Sequence, residues 1–282
     1  MESHFISTNG ITLHTIQAGP EEGPLVLLLH GFPEFWYGWR HQIAPLAGAG
    51  FRVWAPDLRG YNRSAKPPDI RSYAIEHLTA DVAGLIRAAG RSTAAVVGHD
   101  WGGMVAWQLA LRSQQLLDHL IILNIPHPHV IRRALRRSPR QMLRSGYAAF
   151  FQLPWLPEKL LGLRNWALAA RMLRQTSRPG TFTPADLVRY REAWSQPGAM
   201  TAMLNWYRAA LWMRDPPQLR VTTPTLMLWG KRDPALGAEL AQPSIELCEQ
   251  GRLVFFPDAT HWVQHEEAER VNHLLLDFLR SN

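Results

Sequence analysis

The stretch Val96-Val97-Gly98-His99-Asp100-Trp101-Gly102-Gly103 constrains the fold of this chain more than any other. The apolar run at 93–97 reads as a buried strand, and the spacing of apolar residues at 104–111 reads as a helix. Small residues crowd both sides of Asp100, as a strained turn needs when strand and helix approach closely. This is the strand–turn–helix context of a G-x-S-x-G elbow, with Asp100 standing where serine is usual.

That replacement changes the chemistry. A serine attacking an alkyl carbon would end as an ether, a dead end, whereas it forms a hydrolysable ester with acyl substrates. A carboxylate attacking an alkyl carbon gives an ester that water can cleave at the carbonyl. Asp100 therefore points toward substitution at carbon, in epoxides or alkyl halides, and away from serine esterase chemistry. A surface or N-cap carboxylate at a helix start is the ordinary alternative for such a residue.

Strand and helix signals alternate around this turn. Residues 5–17, with Asn9-Gly10, read as a hairpin of two edge strands. Strands are predicted at 25–29, 51–55, 93–97, 120–123, 225–229 and 253–256, and helices at 35–47, 77–89, 101–115 and 268–279. The alternation implies an α/β fold: a mostly parallel sheet flanked by helices. Residues 126–219 break the pattern, being rich in Arg, Trp, Leu and Pro without a clear strand. They read as an all-helical insertion, and 1–125 with 220–282 as the core.

Bulk properties narrow the class. The 282 residues are 46% hydrophobic and 19% charged, as in a globular protein. The first twenty residues lack a secretory pattern, and no apolar run is long enough for a membrane span, so a cytoplasmic protein is expected. A single cysteine, Cys248, excludes an internal disulfide and a thiolate metal cluster. The net charge of +7 is uneven: 126–219 holds fourteen arginines, one lysine and four acids. No nucleic-acid module accompanies that charge, so it reads as a solvated helix face.

A nucleophile needs a base, and the base an orienting partner. Asp233 leaves the strand at 225–229, and His261 leaves the strand at 253–256. Both fall at carboxyl ends of strands, where open α/β sheets gather function. His265, a turn further on, is the competitor, but it lies nearer the helix. The order nucleophile, acid, histidine is that of α/β-hydrolases.

With these residues in place, the sequence resembles the epoxide hydrolases of the α/β-hydrolase superfamily over nearly its whole length. The matching stretches are His30-Gly31-Phe32-Pro33-Glu34, Pro56-Asp57-Leu58-Arg59-Gly60-Tyr61-Asn62-Arg63-Ser64, the Asp100 elbow, Asn124-Ile125-Pro126-His127-Pro128, and the Asp233 and His261 loops. The resemblance implies that the insertion is a cap and that Tyr147 and Tyr207, beside Phe151-Gln152-Leu153-Pro154 and within Asn205-Trp206-Tyr207-Arg208, hydrogen-bond the epoxide oxygen. It implies an oxyanion hole from the Phe32 and Trp101 N–H groups, and a pocket of Phe32, Trp36, Trp101 and Phe151. A small apolar epoxide and water are the implied reactants, with neither metal nor organic cofactor. No nucleic-acid partner is expected, and a symmetric dimer is an expectation.

Two rivals remain on sequence grounds. Haloalkane dehalogenases share Asp followed by Trp. One branch, however, has Asn where Phe32 stands and a carboxylate where Asn124 stands, and the tyrosine pair has no role in halide release. A non-catalytic binding protein on the same fold would not need to keep nucleophile, acid, base and both tyrosines.

Overall fold

The computed structural model describes residues 1–214 and 216–281. Asp215, inside the predicted insertion, and Asn282, at the end of the predicted core, lie outside the described residues. Eight strands form one sheet: β1 (Glu2–Thr8), β2 (Ile11–Ala18), β3 (Leu25–Leu29), β4 (Arg52–Pro56), β5 (Ala94–His99), β6 (Leu117–Leu123), β7 (Thr225–Gly230) and β8 (Gly251–Phe256). Their order across the sheet is β1-β2-β4-β3-β5-β6-β7-β8. The pairs β1/β2 and β2/β4 are antiparallel, and every other pair is parallel.

The hairpin forms as read, with Asn9 and Gly10 both at positive φ, as a two-residue turn matching strand twist requires. Of its two strands only β1 is an edge, however. β2 pairs on both sides, because β4 returns beside it rather than beside the hairpin's outer strand. The central strands β3, β5 and β7 are buried throughout, which is why they read as unbroken apolar runs.

Helices cover both faces. α1 (Arg40–Gly48), α2 (Ile75–Ala88) and α3 (Trp101–Ser113) alternate with the first parallel strands. The two-residue period of a strand splits the core. Leu25, Leu27 and Leu29 pack with Val82 of α2 and Val105 of α3. Val26 and Leu28 pack with Ile43 of α1 and, from the last helix, Leu275. The segment predicted as a helix from 35 begins instead as a 3-10 turn at Trp36–Trp39.

Between β6 and β7 the described chain is helical: α4 (Pro128–Arg137), α5 (Pro139–Arg144), α6 (Gly146–Phe150), α7 (Leu156–Thr176), α8 (Pro184–Trp194) and α9 (Ala199–Ala209). Proline sits in the first turn of α4, α5, α7 and α8, where its fixed φ suits a helix and its missing N–H costs nothing. Thr183 and Asp186 exchange hydrogen bonds at 3.1 and 2.9 Å, closing a capping box on α8. α7 is broken midway, where Arg164, Asn165 and Trp166 have φ of 49°, 53° and 63°. The chain closes with α10 (Ala241–Ile245), α11 (Val263–Glu266) and α12 (Ala268–Arg280).

The helical segment docks on the loop after β3. Tyr190 Oη donates to Glu34 Oε1 at 2.6 Å, and Trp194 Nε1 donates to the Pro33 carbonyl at 2.6 Å. Trp206 Nε1 donates to the Arg59 carbonyl at 2.9 Å. Phe151, Leu173, Leu187 and Met203 belong to the same buried cluster as the strands beneath them.

Candidate active site

β5 ends at His99 and α3 begins at Trp101, so Asp100 alone makes the turn. Its φ of 51° and ψ of −122° lie outside the regions open to most side-chain-bearing residues. Such backbone costs on the order of 1–3 kcal/mol and persists only where its surroundings over-determine it. Here they do. A Cβ on Gly102 would strike the Leu29 carbonyl, and one on Gly31 would strike the Asp100 side chain itself. Both glycines let β3, the turn and α3 close up around the carboxylate.

The carboxylate is held from two directions. The Phe32 N–H donates to Asp100 Oδ1 at 2.8 Å. His261 Nε2 lies 3.5 Å from Asp100 Oδ2. The Trp101 N–H opens α3, among the first-turn amides that no helical carbonyl can accept. Burial alone would raise the Asp100 pKa, but the His261 hydrogen bond and charge, with the Phe32 amide, hold it below the usual carboxylate range.

Behind the imidazole stands Asp233, 3% exposed, whose Oδ2 accepts a hydrogen bond from His261 Nδ1 at 2.7 Å. Asp233 Oδ1 accepts from the Ala235 and Leu236 N–H groups at 2.8 and 2.9 Å. Asn124 Nδ2 donates to Asp233 Oδ2 at 2.8 Å, while its own Oδ1 accepts from the Gly230 N–H at 3.0 Å. Asn124 follows β6, which lies beside β7, and the sequence marks it only as part of a matching motif and as not being a carboxylate. Strand order was the missing signal. Burial lowers the His261 pKa, but Asp233 and Asp100 together outweigh burial and push it up to about 10.

His265 has a different partner from His261. Its Nε2 donates to Glu34 Oε1 at 2.7 Å. Glu34, 1% exposed, also accepts from Gln264 Nε2 at 3.0 Å. His99 contributes a further support, its Nε2 meeting the His261 carbonyl at 2.9 Å. Sequence reading assigned no role to Glu34, His99 or Gln264.

Tyr147 of α6 and Tyr207 of α9 face Asp100 from the helical segment. Both wall two cavities that also share Asp100. Their rings are 6.0 Å apart. Burial first, then neighbouring charge including that of Asp100, raises both phenol pKa values well above their ordinary range. Both hydroxyls therefore keep their protons at neutral pH. Arg208 and Gln152 tie the two tyrosines together: Arg208 donates to the Phe151 and Leu153 carbonyls at 3.1 and 2.8 Å, and Gln152 Nε2 donates to the Tyr207 carbonyl at 3.1 Å.

One cavity, of about 210 Å³, contains the His261 side of the site with Phe32, Met172 and Trp262. The other, of about 650 Å³, contains Trp101, Met104 and the face of α4. Two predicted pocket residues lie outside both walls. Phe151 is 1% exposed and sits behind the tyrosines, its ring 5.0 Å from that of Tyr207 and 5.7 Å from that of Tyr147. Trp36 packs between Phe35 and Tyr37, its N–H bonded to Asp57 Oδ1 at 3.0 Å. Phe151 backs the lining residues Phe32, Tyr147 and Tyr207, whereas Trp36 packs among residues that line neither cavity. Among the described residues no acid or histidine cluster could hold a metal, and no helix is long and apolar enough to cross a membrane.

A buried carboxylate on a strand–helix elbow, a histidine against it and an acid behind the histidine on this sheet define a hydrolase of the α/β type. Residues 24–268 match the family described as the alpha/beta hydrolase fold. The chain is 48% identical to AB hydrolase superfamily protein YfhM of Bacillus subtilis, covering 100% of this chain and 99% of that one. It is 37% identical to human epoxide hydrolase 4, over 98% of this chain and 77% of that one. A crystal structure of a point mutant of an epoxide hydrolase from Bacillus megaterium superposes with a TM-score of 0.91 at 31% identity, covering 99% and 100% of the two chains. The chain belongs to the epoxide hydrolases of the α/β-hydrolase superfamily.

Proposed function

We propose that this enzyme opens epoxides to vicinal diols through a covalent ester on Asp100. The observation that carries the reading is the placement of one buried carboxylate between His261 and two protonated phenols across a shared cavity.

In this reading each oxygen of Asp100 has its own role. Asp100 Oδ1 is engaged by the Phe32 N–H, so Oδ2 attacks the ring carbon. A bond forms from Oδ2 to carbon, the epoxide C–O bond breaks, and the departing oxygen takes a proton from the Tyr147–Tyr207 pair. Oδ1 is left as the ester carbonyl oxygen, already beside the Phe32 N–H, with the Trp101 N–H as the second donor of the oxyanion hole.

Esterification also changes the base. Asp100 loses its negative charge, and with it one of the two anions that raise the His261 pKa. The imidazolium can then give up its proton, which restores the phenol that protonated the epoxide oxygen, and the neutral imidazole takes a proton from water. That water attacks Asp100 Cγ, and the tetrahedral intermediate collapses to expel the diol, which recovers the proton from His261. Asp233 holds the Nδ1–H tautomer and stabilises the imidazolium. Residues 126–219 act as a cap that brings the phenols and excludes water. No step calls for a metal or an organic cofactor.

The test is single-turnover hydrolysis of styrene oxide in oxygen-18 water with enzyme in excess. Label is expected in the peptide carrying Asp100, with unlabelled oxygen in the first diol. Label passing straight into the diol overturns the nucleophile. Halide release from haloalkanes without any diol would instead select the dehalogenase reading.

A further inference from the structure

The helical segment carries a cationic surface that plays no part in the site at Asp100. No acid occurs between Asp118 and Glu158, while six arginines fall within α4 and α5. His129, Arg133 and Arg137 recur at steps of four along one face of α4. With Arg220 they wall a groove of about 690 Å³ whose apolar lining includes Val130, Leu219 and Leu247. Among the described residues the groove's only acid is Glu246, which accepts from Gln242 Nε2 at 3.0 Å.

α5 extends this surface. Both helices rest on the chain after β7: Leu240 and Leu247 close the groove, and Gln141 bonds to the Ala235 carbonyl and the Gly237 N–H at 2.8 and 3.1 Å. With Gln141 turned inward, Arg140, Met142 and Leu143 face outward, and Leu143 is 85% exposed. Arg144 has Glu239 at 3.8 Å. Among the described residues no acid forms an ion pair with Arg133, Arg137, Arg140 or Arg220.

A cationic groove alone would suit any polyanion, but the protruding apolar tips narrow the choice. A nucleic acid would leave Met142 and Leu143 in water. A second copy of this face would set arginines against arginines. A protein partner must supply a fitted hollow for each tip, whereas hydrocarbon receives tips in any arrangement. Apolar side chains ringed by arginines characterise a helix that lies in a lipid interface.

We propose that the α4–α5 corner docks this protein on the surface of an anionic lipid bilayer. Arg133, Arg137, Arg140 and Arg220 meet headgroup phosphates, their stems lying along apolar surface while the guanidinium groups bond the anions. Met142 and Leu143 enter the boundary between headgroups and acyl chains. The chain lies on the bilayer and does not cross it, and the docking is independent of the epoxide reading.

Vesicles of phosphatidylcholine, with and without phosphatidylglycerol, test this. At low salt, cosedimentation should show partition at least about tenfold stronger on the anionic vesicles, weakening as salt rises. The double variant Arg133→Gln, Arg137→Gln should lower that partition by roughly tenfold or more, and Leu143→Asp by about fivefold, with unchanged melting temperatures. Leu143→Cys offers a labelling site, because the chain's one cysteine, Cys248, is buried. An environment-sensitive dye there should shift to the blue on anionic vesicles. Equal partition on both kinds of vesicle overturns the proposal. So does binding without a dye shift, which marks adsorption by charge alone. A dye shift that follows protein concentration in the absence of vesicles assigns the face to a second copy and overturns it as well.

Discussion

The two walls of the site are built by different physics. On the sheet side, Asp100, His261 and Asp233 sit at strand ends and are held by backbone amides: Phe32 on Asp100, and Ala235 and Leu236 on Asp233. On the helical side, Tyr147 and Tyr207 are placed by ring packing and by one guanidinium, Arg208, spanning two carbonyls and Glu158 at 2.8 Å. The first wall is rigid because its donors are main-chain amides in the short loops that leave β3 and β7. The second depends on a few side chains, so it can be weakened without dissolving the first. That difference teaches where tolerance to change should lie.

Substitutions that remove the sheet-side chemistry should have the largest effect. His261→Gln is expected to lower steady-state turnover by on the order of 10⁴-fold or more while leaving alkylation of Asp100 possible. Intact-protein mass spectrometry should then show the ester accumulating after epoxide is added. Unmodified protein under those conditions would break the assignment of His261 to the second step.

Arg208→Ala attacks the other wall. It leaves Glu158 without its buried partner and strips the carbonyls at 151 and 153, so a loss of about 3–5 kcal/mol is expected by denaturant melts. An unchanged midpoint would show that ring packing alone suffices on the helical side. Tyr147→Phe and Tyr207→Phe keep the packing and remove one donor each. Each should slow the alkylation step by roughly 10²–10³-fold in single-turnover kinetics, with little change in melting temperature. Equal loss in alkylation and in ester hydrolysis would contradict their placement on the epoxide oxygen.

The pH dependence sharpens the contrast between steps. Asp100 is held below the usual carboxylate range, so the nucleophile stays ionised through neutral and mildly acidic pH. His261 must be neutral to act as base, and in the ester it faces one anion instead of two. Ester hydrolysis should therefore fall about tenfold per pH unit below a pKa that lies under the free-enzyme value of about 10. Rapid-quench measurement of a pH-independent hydrolysis step would exclude His261 as the titrating base. The smallest effect is expected for Asn124→Gly, which tolerates the φ of 47° and removes one donor to Asp233. About a tenfold slowing of hydrolysis alone is expected, since a hydrogen bond to a charged group contributes on the order of 1.5–3 kcal/mol.

Much of the sheet side was legible because its rules are local. Gly98, Gly102 and Gly103 around Asp100 announce a tight turn from neighbouring residues alone, and unbroken apolar runs announce strands buried on both faces. Asn9-Gly10 gave away the hairpin for the same reason, yet not that β2 would lie inside the sheet. That depends on where β4 comes to rest, a pairing that no local pattern carries. The role of Asn124 escaped notice on the same ground: its partner lies more than a hundred residues away, and only the adjacency of β6 and β7 brings them together. The resemblance puts Phe151 and Trp36 in the pocket, yet neither lines a cavity, because a motif fixes a residue's place in the chain and not which of several rings reaches the open space.

The sequence by itself determined an α/β chain with an acidic elbow, an ordered nucleophile, acid and histidine, and a proline-punctuated helical insertion. These follow from propensities and steric needs confined to a few consecutive residues. Tertiary structure alone decided that Glu34 occupies His265 and that Asn124 reaches Asp233. Each of these is a contact between segments distant in the chain, fixed by strand order and by how the helices pack over the strand ends.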